Sequence, residues 1–449
     1  MQFSHFGTTL GGPTGIMDLM DDMGRALSGT EKKYMLGGGN PAHIPEVEAV
    51  WRERMRELLA QEGAVERMLG NYDSPQGQPA FIEALTGLLN REFKWGLTSE
   101  NVAITNGSQT AFFILLNMLS GPADARDAGE TPAGGAGGRV SRGGGRVLFP
   151  LMPEYIGYAD QGLDPRAFVA CRPHIERIDA HTHKYHIDFD AVEAQLASAR
   201  RGPEPPITAI CVSRPTNPSG NVLTDQEMHR LDALAQRYEV PLIIDNAYGM
   251  PFPHIVFDDV VSGPAQPMWN ENIVLGMSLS KIGLPGTRTG IIIGSREIVN
   301  ALSRANAVLS LANTTVGQVL VEPLVRDGRI LELSRSVIQP FYRERAERGR
   351  QWISQAFDPG VPFSLHRTEG ALFLWLWLPE LPITSRELYE RLKARNVIVV
   401  PGEYFFFGDP EIHRWSHARQ CLRINYGQEP ADTQAGLEMI ADEVNSLWR

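Results

Sequence analysis

Between about residues 100 and 300, six short runs rich in valine and isoleucine recur, each closed by polar or glycine residues and most followed by a longer stretch of helical period. They lie at 102–104, 147–149, 207–212, 241–244, 273–275 and 291–293. Continuous apolar strands need cover on both faces, and strands alternating with helices build a parallel sheet with crossover helices on either side. The pattern predicts an α/β domain with a mainly parallel mixed sheet flanked by helices. Ligands of such sheets collect beyond the strands' carboxyl ends, so the residues closing each run are where chemistry is expected.

The 449 residues suit one large domain with a smaller companion. Past residue 300, the arginine-rich stretch 343–348 predicts a solvated helix leading into a second unit. A strand-like run at 371–378, a helix near 385–395 and a strand at 397–400 then predict a compact α+β domain. The expected division is an N-terminal segment, 1–45, joining the small domain, a ligand-holding large domain at 46–300 and a small domain at 301–449. The glycine-rich stretch 134–145 cannot bury enough apolar surface to order itself and predicts a flexible surface insertion.

Composition narrows the class. No apolar run approaches the roughly 20 residues a bilayer span needs, so no membrane insertion is expected. The start, Met1-Gln2-Phe3-Ser4-His5-Phe6, has no basic region followed by an apolar core, which points to the cytoplasm. A formal charge of -11 opposes nucleic-acid binding, though not a local cationic pocket for a small anion. Cys171, Cys211 and Cys421 lack paired spacing and read as buried small hydrophobes. His181, His183 and His186 lie near no cysteine or acid at ligand spacing, so surface histidines and no metal are expected.

Chemistry concentrates after the strands. In Ser278-Leu279-Ser280-Lys281-Ile282-Gly283-Leu284-Pro285-Gly286-Thr287-Arg288, hydroxyls before a lysine and an arginine seven positions on suit an amine that condenses with an aldehyde beside a phosphate. The pattern points to a Schiff-base lysine and pyridoxal phosphate; a basic surface loop is the alternative. Asp245 closes the run 241–244, with Tyr248 three residues on; a carboxylate there can keep a pyridine nitrogen protonated, and a phenol can bond the ring oxygen. A helix cap would explain the acid equally. Arg214-Pro215-Thr216-Asn217-Pro218-Ser219-Gly220 makes a stiff turn presenting the Asn217 amide, unless it is an ordinary loop. Gly107, Ser108 and Gln109 open an apolar helix, where free backbone amides form an anion site. Tyr155 could stack on a flat ring and Tyr72 reach a phosphate; packing is the alternative for each. Arg423 interrupts an apolar strand and asks for an anion, either a substrate carboxylate or an internal partner.

In this order along nearly the whole chain, these motifs resemble the fold-type I pyridoxal-phosphate aminotransferases. The resemblance implies a homodimer with active sites at the subunit interface. Lys281 would carry the Schiff base, Asp245 face the pyridinium nitrogen, and Asn217 and Tyr248 flank the ring oxygen. Gly107, Ser108, Gln109, Ser278 and Arg288 would hold the phosphate, Ser280 beside them. Tyr72 would come from the neighbouring subunit, Tyr155 stack on the ring, and Arg423 bind the substrate carboxylate near the Gly39 backbone.

Within that family, Leu36-Gly37-Gly38-Gly39-Asn40-Pro41-Ala42, Asn71-Tyr72-Asp73 and Ser213 to Asn221 look like a branch in which L-valine gives its amino group and pyruvate takes it. The expected reaction is a ping-pong exchange of amino-acid and 2-oxo-acid substrates. Other uses of the same residues are a broader aminotransferase, a lyase or a silent ligand-sensing regulator. Tyr404, Phe405 and Phe406 are candidates for apolar pocket walls, or for core.

Overall fold

Each of the six apolar runs becomes a strand of one seven-stranded sheet, ordered Val102–Thr105, Gly290–Ile293, Ile273–Ser278, Leu242–Asp245, Ile207–Ser213, Arg146–Phe149 and Phe168–Ala170. In this computed structural model the described residues are 2–12, 14, 15, 17, 20–22, 24, 32–121, 144–202 and 204–449. Gly290–Ile293 runs antiparallel to both neighbours, while the other pairings are parallel. The carboxyl ends Thr105, Phe149, Ser213, Asp245 and Ser278 therefore share one edge with Gly290, the start of the reversed strand. The seventh strand, Phe168–Ala170, is a three-residue edge too short to stand out as a periodic run.

Crossover helices cover the sheet and start where their caps dictate. Asp188 accepts from the Ala191 amide to open Phe189–Arg201, and Thr224 with Glu227 forms a reciprocal capping box for Asp225–Arg237. Each helix turns an apolar stripe to the strands: Val192, Leu196 and Ala199 on the first, Met228, Leu231 and Ala235 on the second.

A second sheet, of six strands, runs Val400–Pro401, Cys421–Asn425, Phe373–Trp377, Ser364–His366, Thr182–His186 and His174–Arg177. Its last two strands form a hairpin from the first half of the chain. The stretch 397–400 divides: Val397–Ile398 pairs in parallel with Tyr34–Met35, and Val400–Pro401 enters the second sheet. The arginine-rich stretch lies within helix Gln339–Ala356, which is only partly solvated, since it buries Tyr342, Ala346, Gly349 and Ile353 and packs against Pro430–Ser446. The glycine-rich insertion lies, apart from Gly144 and Gly145, outside the described residues. All three cysteines are buried and free. No described helix is long and apolar enough to cross a membrane.

One expectation fails at His183. His181 is exposed and His186 half-buried between Glu176 and Glu227, but His183 sits on the inner strand Thr182–His186 and is fully buried, its Nδ1 2.8 Å from Ser364 Oγ. Tertiary pairing on both edges of that strand encloses a side chain that a local reading leaves outside. Beside it, Lys184 is fully buried, with Nζ 2.5 Å from Glu369 Oε2 and 3.0 Å from the Val222 carbonyl. His366 and His417 complete a buried polar group, bonded to Asn221 Oδ1 (3.0 Å) and Tyr185 Oη (2.6 Å).

Burial holds all three enclosed imidazoles below the ordinary histidine range, His417 at about 3, with Arg177, Lys184 and Arg350 adding positive charge nearby. A folded pKa below the unfolded one means the unfolded chain binds more protons as pH drops. Stability is then complete above about pH 6.5 and is lost as pH falls beneath it, by up to about 1.4 kcal/mol per unit per histidine. Denaturant unfolding at pH 7.5 and 5.5 checks this; equal midpoints would contradict it.

Candidate active site

The edge shared by the strand ends opens into a cavity of about 380 Å³. Ser108, Gln109, Tyr155, Asn217, Asp245, Tyr248, Ser278, Ser280, Lys281, Arg288 and Arg423 all line it, together with Gly39. Two expected residues stand apart. Gly107 sits against the Arg288 guanidinium but is not among the lining residues, and neither is Tyr72, which is 82% exposed.

Local sequence explains how Lys281 is presented. Ser278 closes its strand and accepts from the Ser280 amide (3.1 Å), starting the single turn Leu279–Ile282. Gly283, at φ +88, ends that turn in the left-handed region where a side chain is strained. Trp51 Nε1 then holds the Ile282 carbonyl at 2.8 Å. The lysine Nζ donates to the Gly39 carbonyl (2.6 Å) and lies 5.3 Å from the centre of the Tyr248 ring. Burial, and then the Arg423 cation, hold its amine down at about 8, while Asp245 pulls the other way.

Asp245 ends Leu242–Asp245 with no helix after it, so the capping account fails. Its Oδ1 accepts from the Ala247 amide (3.0 Å), and its Oδ2 accepts a short bond from the Tyr158 hydroxyl. Burial raises the carboxyl's pKa and the Tyr158 bond opposes the rise. Opposite, Arg423 is buried on Cys421–Asn425 between the rings of Phe373 and Phe405 (4.3 and 5.1 Å). Its Nη1 donates to Asn217 Oδ1 (2.8 Å) and its Nη2 to the Gly37 carbonyl (2.6 Å), while Nε has no partner among the described residues. The internal partner entertained for this arginine is thus neutral, not acidic. The Asn217 turn is fixed by Arg214, which bonds Leu223 O (2.7 Å), Gln266 O (2.8 Å) and Asp225 Oδ1 (2.7 Å).

At the cavity's other end, helix Ser108–Leu119 points its N-terminus at Arg288. Gly107 adopts φ +87, and a Cβ there would strike the guanidinium. A cation against the positive end of a helix is unfavourable unless an anion lies between them. Arg288 itself takes a left-handed backbone, φ +47, uncommon for a residue with a side chain. The donor set, with the Ser278 and Ser280 hydroxyls, fits a phosphate; the Asp245 carboxylate, the Tyr155 ring and the Lys281 amine fit a phosphorylated pyridine aldehyde.

Sequence reasoning did not single out Tyr158, Glu154, Ser213, Ile156 or Met20. Tyr158 was visible as one helical turn beyond Tyr155; Met20 and Ile156, apolar residues lining the cavity, carried no local signal. Phe405 and Phe406 are core residues, and Tyr404 faces a neighbouring cleft.

The family model described as aminotransferase class I and II matches residues 166–440. A valine–pyruvate aminotransferase of Escherichia coli strain K12 is 44% identical over 448 residues, spanning 100% of this chain and 99% of its own. The chain belongs to the class I and II aminotransferases. A crystal structure of a valine–pyruvate aminotransferase from Salmonella typhimurium LT2 superposes with a TM-score of 0.81 at 41% identity, covering 97% of this chain and 100% of the other. The multiple substrate aminotransferase of Thermococcus profundus shares the fold at 20% identity, with a TM-score of 0.75 over 97% of this chain and 96% of its own. The fold is type I, the chain is an aminotransferase, and pyridoxal phosphate is its cofactor.

The lysine's environment yields a test on the cofactor-free chain. Arg423→Gln removes a neighbouring cation that disfavours the charged amine, so the Lys281 pKa should rise from about 8 while burial still holds it below a free lysine. Mass-spectrometric acetylation of Lys281 across pH 7–10 should shift to higher pH in the variant, and superimposable curves would refute the coupling.

Proposed function

We propose that this aminotransferase moves an amino group from L-valine to pyruvate, yielding 2-oxoisovalerate and L-alanine in two half-reactions. The observation that carries this reading is full-length identity of 44% to the Escherichia coli valine–pyruvate aminotransferase. The cavity's residues support it.

Bound in this cavity, pyridoxal phosphate supplies an aldehyde for amines and an electron sink for the substrate's alpha carbon. Gly107, Ser108, Gln109, Ser278, Ser280 and Arg288 would hold its phosphate. Tyr155 would cover one ring face, Asp245 would face the ring nitrogen, and Tyr248 with the Asn217 amide would serve the ring oxygen. Lys281 carries the proton to and from the alpha carbon, and an amine near pKa 8 can take and return a proton at moderate pH. Arg423 receives the substrate carboxylate in its planar fork while Asn217 and Gly37 keep the guanidinium in place. Met20 and Ile156 offer apolar contact to an aliphatic side chain.

Two copies form the working unit, with Tyr72 completing the neighbouring copy's phosphate site. Support comes from exposed apolar residues: Leu69 and Tyr72 on one stretch, Val308, Leu309 and Leu311 on another. Thr315 Oγ1 bonds the Met68 carbonyl (2.6 Å) and Asn313 Nδ2 the Pro75 carbonyl (2.7 Å), bringing these stretches together. Residues 46–300, apart from the hairpin 174–186 that joins the second sheet, act as the cofactor-holding part, with 1–45 and 301–449 as the smaller one; pairing of Tyr34–Met35 with Val397–Ile398 supports the N-terminal grouping. The enzyme works in the cytoplasm.

Purified protein should show a yellow absorption band that bleaches with L-valine and returns with pyruvate. A band that ignores valine and answers L-glutamate would overturn the substrate assignment, and substantial transamination by Lys281→Ala would overturn the lysine's role. Val308→Glu should shift the chain toward monomer in sedimentation equilibrium; an unchanged mass would exclude that face from the interface.

A further inference from the structure

Glu154 is a buried ionisable group that touches the site from behind. Its side chain is fully buried, and among the described residues none of its hydrogen-bond partners is a cation. Oε1 accepts from the Ser213 amide (2.8 Å); Oε2 meets the Ser213 hydroxyl (2.6 Å) and accepts from the Tyr155 amide (3.2 Å). Its own amide donates to the Phe405 carbonyl (3.0 Å).

These partners are the supports of the cavity. Ser213 pairs in register with Asp245, and the next residue, Arg214, donates its amide to the Asp245 carbonyl (2.8 Å). Tyr155 lines the cavity, and Phe405 is one of two rings against Arg423. We propose that Glu154 is a positioning residue for transamination: its buried carboxyl fastens the backbone of the ring-stacking Tyr155 to the strand end beside Asp245, setting the spacing between the two. The proposal rests on the aminotransferase reading of the cavity and adds a residue that touches neither cofactor nor substrate.

A carboxyl is a costly staple in so closed a place, because burial penalises its charged form. Burial pushes its pKa up to about 8, bonds from Ser213 and Tyr155 pull it down, and the neighbouring Asp245 charge raises it. Tyr158, Cys211 and Tyr155 are the other titratable groups around it. Below that pH the carboxyl is neutral, so Asp245 keeps the local negative charge to itself. As pH rises, a second negative charge develops beside Asp245. A neutral amide of equal size would not titrate, and it would turn a donor toward either Ser213 or the Tyr155 amide.

Glu154→Gln is therefore the informative variant. It should still bind pyridoxal phosphate and melt close to the parent. Its kcat should fall about tenfold while KM for the amino donor changes less than about threefold, the signature of misplacement rather than lost binding. The pH at which the bound cofactor's visible band changes should also move. In the cofactor-free chain, infrared difference spectra should show the carbonyl stretch of a buried protonated acid in the parent and not in the variant. Ser213→Ala, which removes one bond to the carboxyl, should shift that stretch and the band's titration even if Glu154→Gln folds poorly. Unchanged kcat with an unmoved band titration would overturn the proposal. So would a loss of activity that merely tracks a lower melting temperature, since that describes a fold staple. The parent's spectrum, read first, separates the two readings: a parent that takes up no pyridoxal phosphate overturns both, whereas an effect missing only in the variants overturns this one.

Discussion

Positive charge gathers in one cavity with too little negative charge to balance it. Lys281, Arg288 and Arg423 line the space, and Asp245 is the acid that lines it with them. Burial penalises the charged forms, which is why the Lys281 amine, with Arg423 repelling it as well, drops to about 8 and the Arg423 guanidinium to about 10. Such an arrangement is stable only because neutral acceptors hold each cation: Gly39 for the lysine, Asn217 and Gly37 for Arg423, Pro285 for Arg288. It is completed by anions from outside. A phosphate suits the helix end beside Arg288, and a substrate carboxylate suits the fork of Arg423. The aldehyde-bearing ring then lies between two anchoring groups that the charge distribution already calls for.

The two sheets exist, in this sense, to bring those cations together. Lys281 and Arg288 flank the antiparallel pair Ile273–Ser278 and Gly290–Ile293, whereas Arg423 belongs to the second sheet and meets the others across the Asn217 turn. The N-terminal stretch threads between: Gly37 and Gly39 accept from cations of different sheets, and Gly38 accepts from Asn425 (2.7 Å). Three successive carbonyls of one glycine-rich segment thus tie the second sheet to the first. At Gly37 a Cβ would lie 3.2 Å from both the Ile398 side chain and the Val399 carbonyl, so the close backbone approach favours glycine there.

Much of this was legible because it depends on local rules. The strand runs were continuous and apolar, so their place in a covered sheet followed, and with it the edge where Asp245, Asn217 and Lys281 meet. What escaped depends on packing between distant segments. His183 looked exposed because its neighbours His181, Lys184 and His186 are polar; strand Ser364–His366, some 180 residues later, closes the second edge of its strand. The hairpin His174–Arg177 with Thr182–His186 has the composition of a surface loop and joins the second sheet all the same. Tyr158 was in plain sight beside Tyr155, yet its bond to Asp245 spans 87 positions, and no periodicity reports such a contact.

The Tyr158 bond also shows why a carboxylate so deeply placed can keep its charge. Left alone, burial would raise the Asp245 pKa further and weaken the charged partner a ring nitrogen requires. A phenol that donates to one oxygen and an amide that donates to the other favour the ionised form without introducing a cation. A cation would have served the carboxylate equally well and spoiled the site, because it would compete with the ring nitrogen for the same charge. Neutral donors stabilise Asp245 while leaving its charge for the ligand, just as neutral acceptors stabilise Arg423 while leaving its charge for the substrate. Both halves of the cavity follow one rule: buried ions are held in place by groups that do not cancel them.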